Sequence, residues 1–204
     1  LILQWLFGLG VKKQKKAGQS YLWIVDRIVI TIALAAVFIR MGNFVNSEIV
    51  GRPSDSDNGV VFGRIAEMYF EEGINGVDRA EASKGTSTEQ LAPGIVPVDI
   101  RVTFEGTSST EQQIRAKLER EFKPMLTRYP VNEHYQEPLG KPLNYELTPN
   151  GREWIATIHT YGIVRHPAQL YESATSLILF FLLLALWFKY KEKTPEGLLF
   201  GIFL

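Results

Sequence analysis

Residues 177–188 read LILFFLLLALWF, twelve positions with no polar side-chain atom except the Trp187 indole. A helix of a soluble protein keeps a polar stripe for water. This stretch has none, so it needs apolar surroundings on every side. Extended to residues 170–190, it has the roughly 20-residue length that crosses a bilayer. A second run, IVITIALAAVFI at 28–39, carries no charge and lies within a span at 21–40 whose Asp26 and Arg27 sit near one end. The alternative is two helices buried in a soluble core, and the missing polar stripe argues against it.

Net charge is zero over the chain, but this is a cancellation. Residues 40–169 hold 14 Lys/Arg and 18 Asp/Glu, a net of −4, and the two ends together carry +4. No overall basic bias marks a nucleic-acid binder. The absence of Cys excludes a disulfide scaffold, a thiolate metal site and a cysteine nucleophile on this chain. Orientation follows from lysines. VKKQKKAGQS at 11–20 has four Lys and no acid, and KYKEKTPEG at 189–197 has three Lys. The positive-inside rule puts both in the cytoplasm and residues 45–164 outside. LILQWLFGLG at the start reads as the tail of an earlier span, and GLLFGIFL at the end as the start of another. With Leu1 first, no signal-peptide pattern and an apolar finish, the chain is expected to be a piece of a larger polytopic protein.

The outer segment divides. Residues 54–94 are rich in Gly, Ser, Asp and Asn, with one helix expected over 63–72 and an exposed or mobile loop over 81–90. VPVDIRVTFE then alternates apolar and polar through Val98, Ile100, Val102 and Phe104, the pattern of a half-buried strand. A helix is expected next, with Ser109 as N-cap and Gln112 closing a capping box. Ile114, Leu118, Phe122 and Met125 would share its inner face, and Pro124 would kink or end it. Asn150-Gly151 between two alternating runs signals a hairpin. The segment therefore reads β-α-β-β: a small antiparallel sheet backed by one helix. His134 and His159 are isolated, and nothing in this segment has catalytic spacing.

The chemically costly residues stand at the outer ends of the spans. Polar groups at membrane depth are expensive unless paired or solvated, and so tend to have tasks. In IRMGNFVNSEIVGR, Arg40 directly follows the apolar run; on a continuing helix it shares a face with Asn43 and Ser47. Gly42 and Gly51 would admit a close neighbour, a backbone or a lipid head group. Arg40 is either such a functional group or an interfacial Arg that snorkels to bulk lipid phosphates. In YGIVRHPAQLYE, Arg165 and His166 precede Pro167 at a helix start, and Gln169, Tyr171 and Glu172 enter the span. An ionised Glu172 needs a cation, with Arg40 or Arg52 the natural candidates. The alternative is that this cluster is an architectural clamp between helices.

RMGNFVNSEIVG, with Arg40, Gly42, Asn43, Phe44, Asn46, Glu48 and Gly51, resembles the signature of bacterial prolipoprotein diacylglyceryl transferases, G-R-x-G-N-F-x-N-x-E-x-x-G. Ile39 replaces the first Gly, and Ser47 stands where Gly is common. RHPAQLYE, Arg165 to Glu172, is similar to the family's second stretch in the right order, and Asp26 matches an acidic residue at the start of the span that delivers the Arg. Residues 59–160 lie outside these motifs and resemble a lineage-specific periplasmic insertion. The resemblance implies an all-α polytopic membrane protein with a periplasmic α+β insertion: residues 1–44 membrane, 45–164 periplasmic, 165–204 membrane. It implies an inner-membrane enzyme that moves the diacylglyceryl group of phosphatidylglycerol to the lipobox cysteine of a prolipoprotein signal peptide. Arg40, Asn43 and Glu48 would be catalytic: Arg40 on the phosphate, Asn43 on glycerol or phosphate oxygens, Glu48 orienting an Arg or a substrate hydroxyl. Asn46, Gly51, Arg52, Arg165 and His166 would complete substrate binding, with His166 chiefly placing the helix start. Asp26, Gln169, Tyr171 and Glu172 would be structural. No metal or cofactor is called for, because the leaving group arrives in the phospholipid. The family's H-G-G stretch, with a histidine often assigned as thiol base, would precede Leu1, and a later Tyr, Arg and Glu span would follow Leu204, so the 204 residues alone are expected to be inactive. The competing classes are a two-span sensor or receptor with an outer ligand-binding domain and a structural membrane scaffold.

Overall fold

The computed structural model describes residues 20–55, 59–87, 91–105, 110–151, 153–190 and 193–204. The expected span tail at 1–10, the lysines of the 11–20 loop and the Ser109 cap fall outside these residues. The chain forms two units, one of residues 1–45 with 168–204 and the other of residues 46–167.

The first unit is built on two long helices, α1 (Tyr21–Val45) and α5 (Ala168–Tyr190). Both are long and apolar enough to cross a bilayer. Val25, Val29, Ile30 and Ala33 of α1 bury against Leu183 of α5 and Leu199 of the short helix α6 (Leu198–Phe203). The opposite faces show Phe38, Ile39, Ile178, Phe181 and Phe188, each more than half exposed. Apolar surface of that extent is stable only against lipid or another apolar partner.

At the other end of α1, Asp26 is buried and its carboxylate accepts N–H groups from Gly197 (2.7 Å) and Phe200 (2.9 Å). These belong to the start of α6, where helical N–H groups lack intrahelical partners and the helix dipole favours an anion. The Asp26 carboxylate thus caps the N-terminus of a helix whose bonded N–H groups lie 171 and 174 residues away in sequence. Beside it, the Arg27 guanidinium lies between the Trp23 and Trp187 rings, 3.2 and 4.3 Å from their centroids. Aromatic rings at this level suit a membrane–water interface and hold a cation against their faces.

The second unit has the order α2 (Arg64–Gly73), β1 (Val77–Lys84), β2 (Ile95–Phe104), α3 (Glu111–Lys117), a π turn (Leu118–Phe122), α4 (Lys123–Leu126), β3 (Tyr145–Asn150) and β4 (Glu153–Ile163). The sheet is antiparallel throughout, in the order β1-β2-β4-β3. Val98, Ile100, Val102 and Phe104 of β2 and Ala156 and Ile158 of β4 bury on one face. Ala66 and Phe70 of α2 and Ile114, Leu118, Phe122 and Leu126 of the α3–α4 stretch cover it. Phe122 packs edge-on to Phe70 and Phe104.

The β-α-β-β expectation is therefore incomplete. Residues 81–84, expected in a loop, end strand β1, and a second helix backs the sheet. β1 is hidden because VDRAEASK has no run of large apolar side chains; beyond Val77 its inward positions are small, Ala80 and Ala82. It is an edge strand, and two helix carboxylates serve its outer side. Ala80 N–H donates to Glu71 (2.8 Å) and Ala82 N–H to Glu67 (2.8 Å). Residues 88–90 of the expected loop lie outside the described residues.

The helix after β2 is capped one residue later than expected. The Thr110 side chain accepts from Gln113 N–H, and Gln113 reaches back to Thr110 N–H (2.8 Å). Pro124 does not end the helix. The π turn precedes it, with Lys123 N–H bonded five residues back to Leu118 carbonyl, and α4 continues to Leu126. The wider turn brings Leu126 rather than Met125 fully inside. In the hairpin, Asn150 pairs Glu153 across a turn where Gly151 has φ +63°, the left-handed region that glycine adopts without a Cβ clash.

Candidate functional site

The expected site residues fall in both units. In the first, Arg40 and Asn43 are one turn apart on α1, both half-buried. Arg40 Nε meets Glu172 Oε2 of α5 at 2.7 Å, with 34% and 47% of the two side chains exposed. The pair sits where the apolar stretch of α1 ends, so the carboxylate is neutralised and the rest of the Arg fork stays open. One turn along, Ser173 Oγ donates to Val37 carbonyl (3.2 Å) and fastens α5 to α1. Gln169 is fully buried, while Tyr171 is half exposed. Among the described residues, a Cβ on Gly42 would meet nothing within 4 Å, so no close backbone neighbour among them explains that glycine.

The signature continues in the second unit, but not as helix. α1 stops at Val45, so Ser47 does not share the face of Arg40 and Asn43 as a continuing helix would require. Ser47 has φ +58° and Ile49 φ +52°. A left-handed backbone is rare for non-glycine residues and most costly for a β-branched one. Each such residue costs on the order of 1–3 kcal/mol and persists only where its surroundings hold it. Ser47 is also the position where the resembled signature commonly has Gly, and its φ gives the physical reason. Asn46, Glu48 and Arg52 are exposed on this loop.

The loop is held from below. A Cβ on Gly51 would overlap the His166 carbonyl oxygen, so the glycine admits a neighbouring backbone. His166 N–H donates to Arg52 carbonyl (3.0 Å), and Arg165 and Val60 exchange both main-chain hydrogen bonds (2.9 Å each). The Arg165 guanidinium spans two carbonyls: Nη1 on Gly51 (2.9 Å), Nε and Nη2 on Glu133 (3.0 and 2.6 Å). Sequence reading did not find Glu133, because its contribution is a main-chain carbonyl and carries no side-chain signal.

The second unit holds two further buried titratable groups, His134 and Glu137, and one half-buried pair, His159 with Asp99. His134 is 4% exposed, edge-on to Phe62, and its Nδ1 has no hydrogen-bond partner among the described residues. Burial first, and then the Arg165 charge, push its pKa down. Glu137 is also buried and accepts from Thr160 Oγ (2.7 Å); burial pushes its carboxyl up. His159 Nδ1 lies 2.7 Å from Asp99 across β2 and β4. Among the described residues, no group of three or more His, Asp or Glu is placed to hold a metal ion.

Two helices long and apolar enough to cross a bilayer, with an Arg–Glu pair at one end and continuous in the chain with an α+β domain that carries the rest of the signature, fit the class of membrane proteins. The family description "Prolipoprotein diacylglyceryl transferase" matches residues 1–204, and the chain belongs to that family. Similar relatives each bear the name phosphatidylglycerol–prolipoprotein diacylglyceryl transferase. One from Tolumonas auensis is 46% identical over 65 residues, 32% of this chain and 23% of the relative. One from Chloroherpeton thalassium is 45% identical over 52 residues, 26% of this chain and 19% of the relative. One from Porphyromonas gingivalis is 37% identical over 67 residues, 33% of this chain and 22% of the relative. The chain thus spans less than a quarter of the length of the relatives it matches. No solved structure matches it.

Proposed function

We propose that the protein acts in the transfer of the diacylglyceryl group of phosphatidylglycerol to the lipobox cysteine of a prolipoprotein, the first step of lipoprotein maturation. Family membership and the names of the relatives support the reaction. The observation that carries the site is the Arg40–Glu172 pair at the end of the apolar stretch of α1. In the reaction the thiol gives up its proton to a base, and sulfur attacks the glyceryl carbon that bears the phosphate ester. The new C–S bond forms as the C–O bond breaks, and glycerol phosphate leaves with the bonding electrons. Charge gathers on the departing phosphate and is stabilised by donors already fixed in a site of low dielectric.

In this reading Arg40 binds the phosphate through the part of its fork not used by Glu172, since a guanidinium can meet two phosphate oxygens at once. Asn43, one turn on, serves the glycerol or phosphate oxygens. Glu48 orients an Arg or a substrate hydroxyl. Asn46, Gly51, Arg52, Arg165 and His166 contribute to substrate binding, Arg165 chiefly through the loop it holds. Asp26, Gln169, Tyr171 and Glu172 keep the spans in place. The substrates would be phosphatidylglycerol and the prolipoprotein signal peptide, met at the outer face of a bacterial inner membrane that the chain crosses more than once. Residues 45–164 would face the periplasm.

The test is transfer of labelled diacylglycerol from phosphatidylglycerol to a lipobox peptide by the intact membrane protein. Arg40→Lys keeps the charge but not the fork, and is expected to lose on the order of 10²-fold in rate. Phosphatidylglycerol, but not phosphatidylcholine, should raise the melting temperature of the wild type. Undiminished transfer by Arg40→Lys would remove Arg40 from the site.

A further inference from the structure

We propose that Arg165 is a positioning residue through which the 131–136 turn sets the conformation of the 46–52 loop. The strained loop needs a restraint, with left-handed φ at Ser47 and Ile49. Two residues beyond Ile49, the Gly51 carbonyl is gripped by Arg165 Nη1. The other side of the same guanidinium grips Glu133. Glu133 ends a one-turn 3-10 helix, Val131–Glu133, seated by fully buried Val131 and Tyr135 in the sheet–helix core. The turn is also sewn to β4: Gln136 N–H donates to Tyr161 carbonyl and Ile163 N–H to His134 carbonyl, both at 2.8 Å.

The path from the domain core to the loop is therefore continuous: Val131 and Tyr135, the Glu133 carbonyl, Arg165, the Gly51 carbonyl. Arg suits this place because one planar fork can reach two carbonyls at fixed directions, whereas a Lys ammonium is a single flexible point. Three of the five guanidinium donors are spent on main-chain oxygens, so Arg165 acts on substrate chiefly through the loop it holds. The segment outside the family motifs is on this account part of the site's support. The consequence for catalysis rests on the transferase reading; the positioning itself does not.

The experiment is hydrogen–deuterium exchange on the intact protein in detergent, without substrate, for wild type, Arg165→Ala, Arg165→Lys and Val131→Ala. Amides of residues 46–52 are expected to exchange about tenfold faster in both Arg165 variants and in Val131→Ala, with β2 and β4 unchanged as internal reference. If Arg165→Ala raises exchange everywhere, Arg165→Lys decides. Wild-type exchange over 46–52 in Arg165→Lys would overturn the proposal. Wild-type exchange there in Val131→Ala would overturn the link to the turn. Stabilisation by phosphatidylglycerol is measured on the same samples: a wild type whose melting temperature phosphatidylglycerol does not raise above that with phosphatidylcholine sinks the transferase reading and leaves the exchange result standing.

Discussion

A buried imidazole nitrogen with no partner is an uncommon thing to keep in a folded domain, since a polar group taken from water without a hydrogen bond costs stability. His134 keeps one among the described residues, and the Arg165 charge acts on it. Both the burial and the neighbouring charge oppose protonation, so the folded domain holds this histidine neutral more strongly than the unfolded chain does. A depressed pKa means that its share of stability is fully present above its ordinary value of 6.5 and is lost as pH falls below it. Glu137 works the other way. Its carboxyl is raised from 4.5 by burial, so its share is present below that value and is lost as pH rises through the folded pKa. Between pH 7.5 and 5.5 the melting temperature of the wild type should fall through the His134 contribution. His134→Leu removes the titrating group without breaking a side-chain hydrogen bond, and the same melts should then show a shallower fall. An unchanged slope would mean that His134 does not titrate in this range.

Elements differ in how openly the chain announces them. α1 and α5 are legible because so many apolar side chains in a row need apolar surroundings on every side. β2 is legible because its large side chains alternate. β1 is not, because beyond Val77 its inward positions are alanines and its outer side is satisfied by Glu67 and Glu71 from a helix earlier in the chain. That arrangement also guards a sheet edge, where open N–H groups invite pairing with another chain. Replacing both carboxylates, Glu67→Ala with Glu71→Ala, should cost about 1–3 kcal/mol for each buried donor left unsatisfied and increase self-association, read by thermal melts and light scattering. Glu67→Gln with Glu71→Gln, which keeps an acceptor at each place, should lose much less; equal losses would mean that the hydrogen bonds do not matter.

The same contrast holds at the site. That Glu172 needs a cation can be read from its depth in an apolar helix, and the fold pairs it with Arg40. The cap at Thr110 rather than Ser109 was ambiguous, because Ser-x-x-Gln and Thr-x-x-Gln overlap by one residue. Arg165 was visible as a charged residue before a proline, but its grip on Glu133 joins positions 32 residues apart through a main-chain oxygen. No spacing rule encodes that. Ser47 and Ile49 likewise give no outward sign of a left-handed backbone, save for the glycine common at the first of them in the resembled signature.

At the scale of the whole molecule, the zero net charge divides into −4 over residues 40–169 and +4 at the ends. Lysines near span ends are retained on the cytoplasmic side, so the sign pattern predicts an orientation: the α+β domain outside and the loop between α5 and α6 inside. This can be tested directly, because the chain has no cysteine and any introduced thiol is unique. Leu139 is 84% exposed in the domain, and Lys193 is exposed in the loop before α6. Leu139→Cys should react with a membrane-impermeant maleimide in intact spheroplasts. Lys193→Cys should react only after the membrane is permeabilised. The reverse pattern would turn the molecule over and place Arg40 and the 46–52 loop on the cytoplasmic side. Labelling of both in intact cells would mean that α5 does not cross the bilayer between them, and the Arg40–Glu172 pair would then lie in water, where an exposed ion pair contributes about 0–1 kcal/mol and offers no low-dielectric site for a departing phosphate.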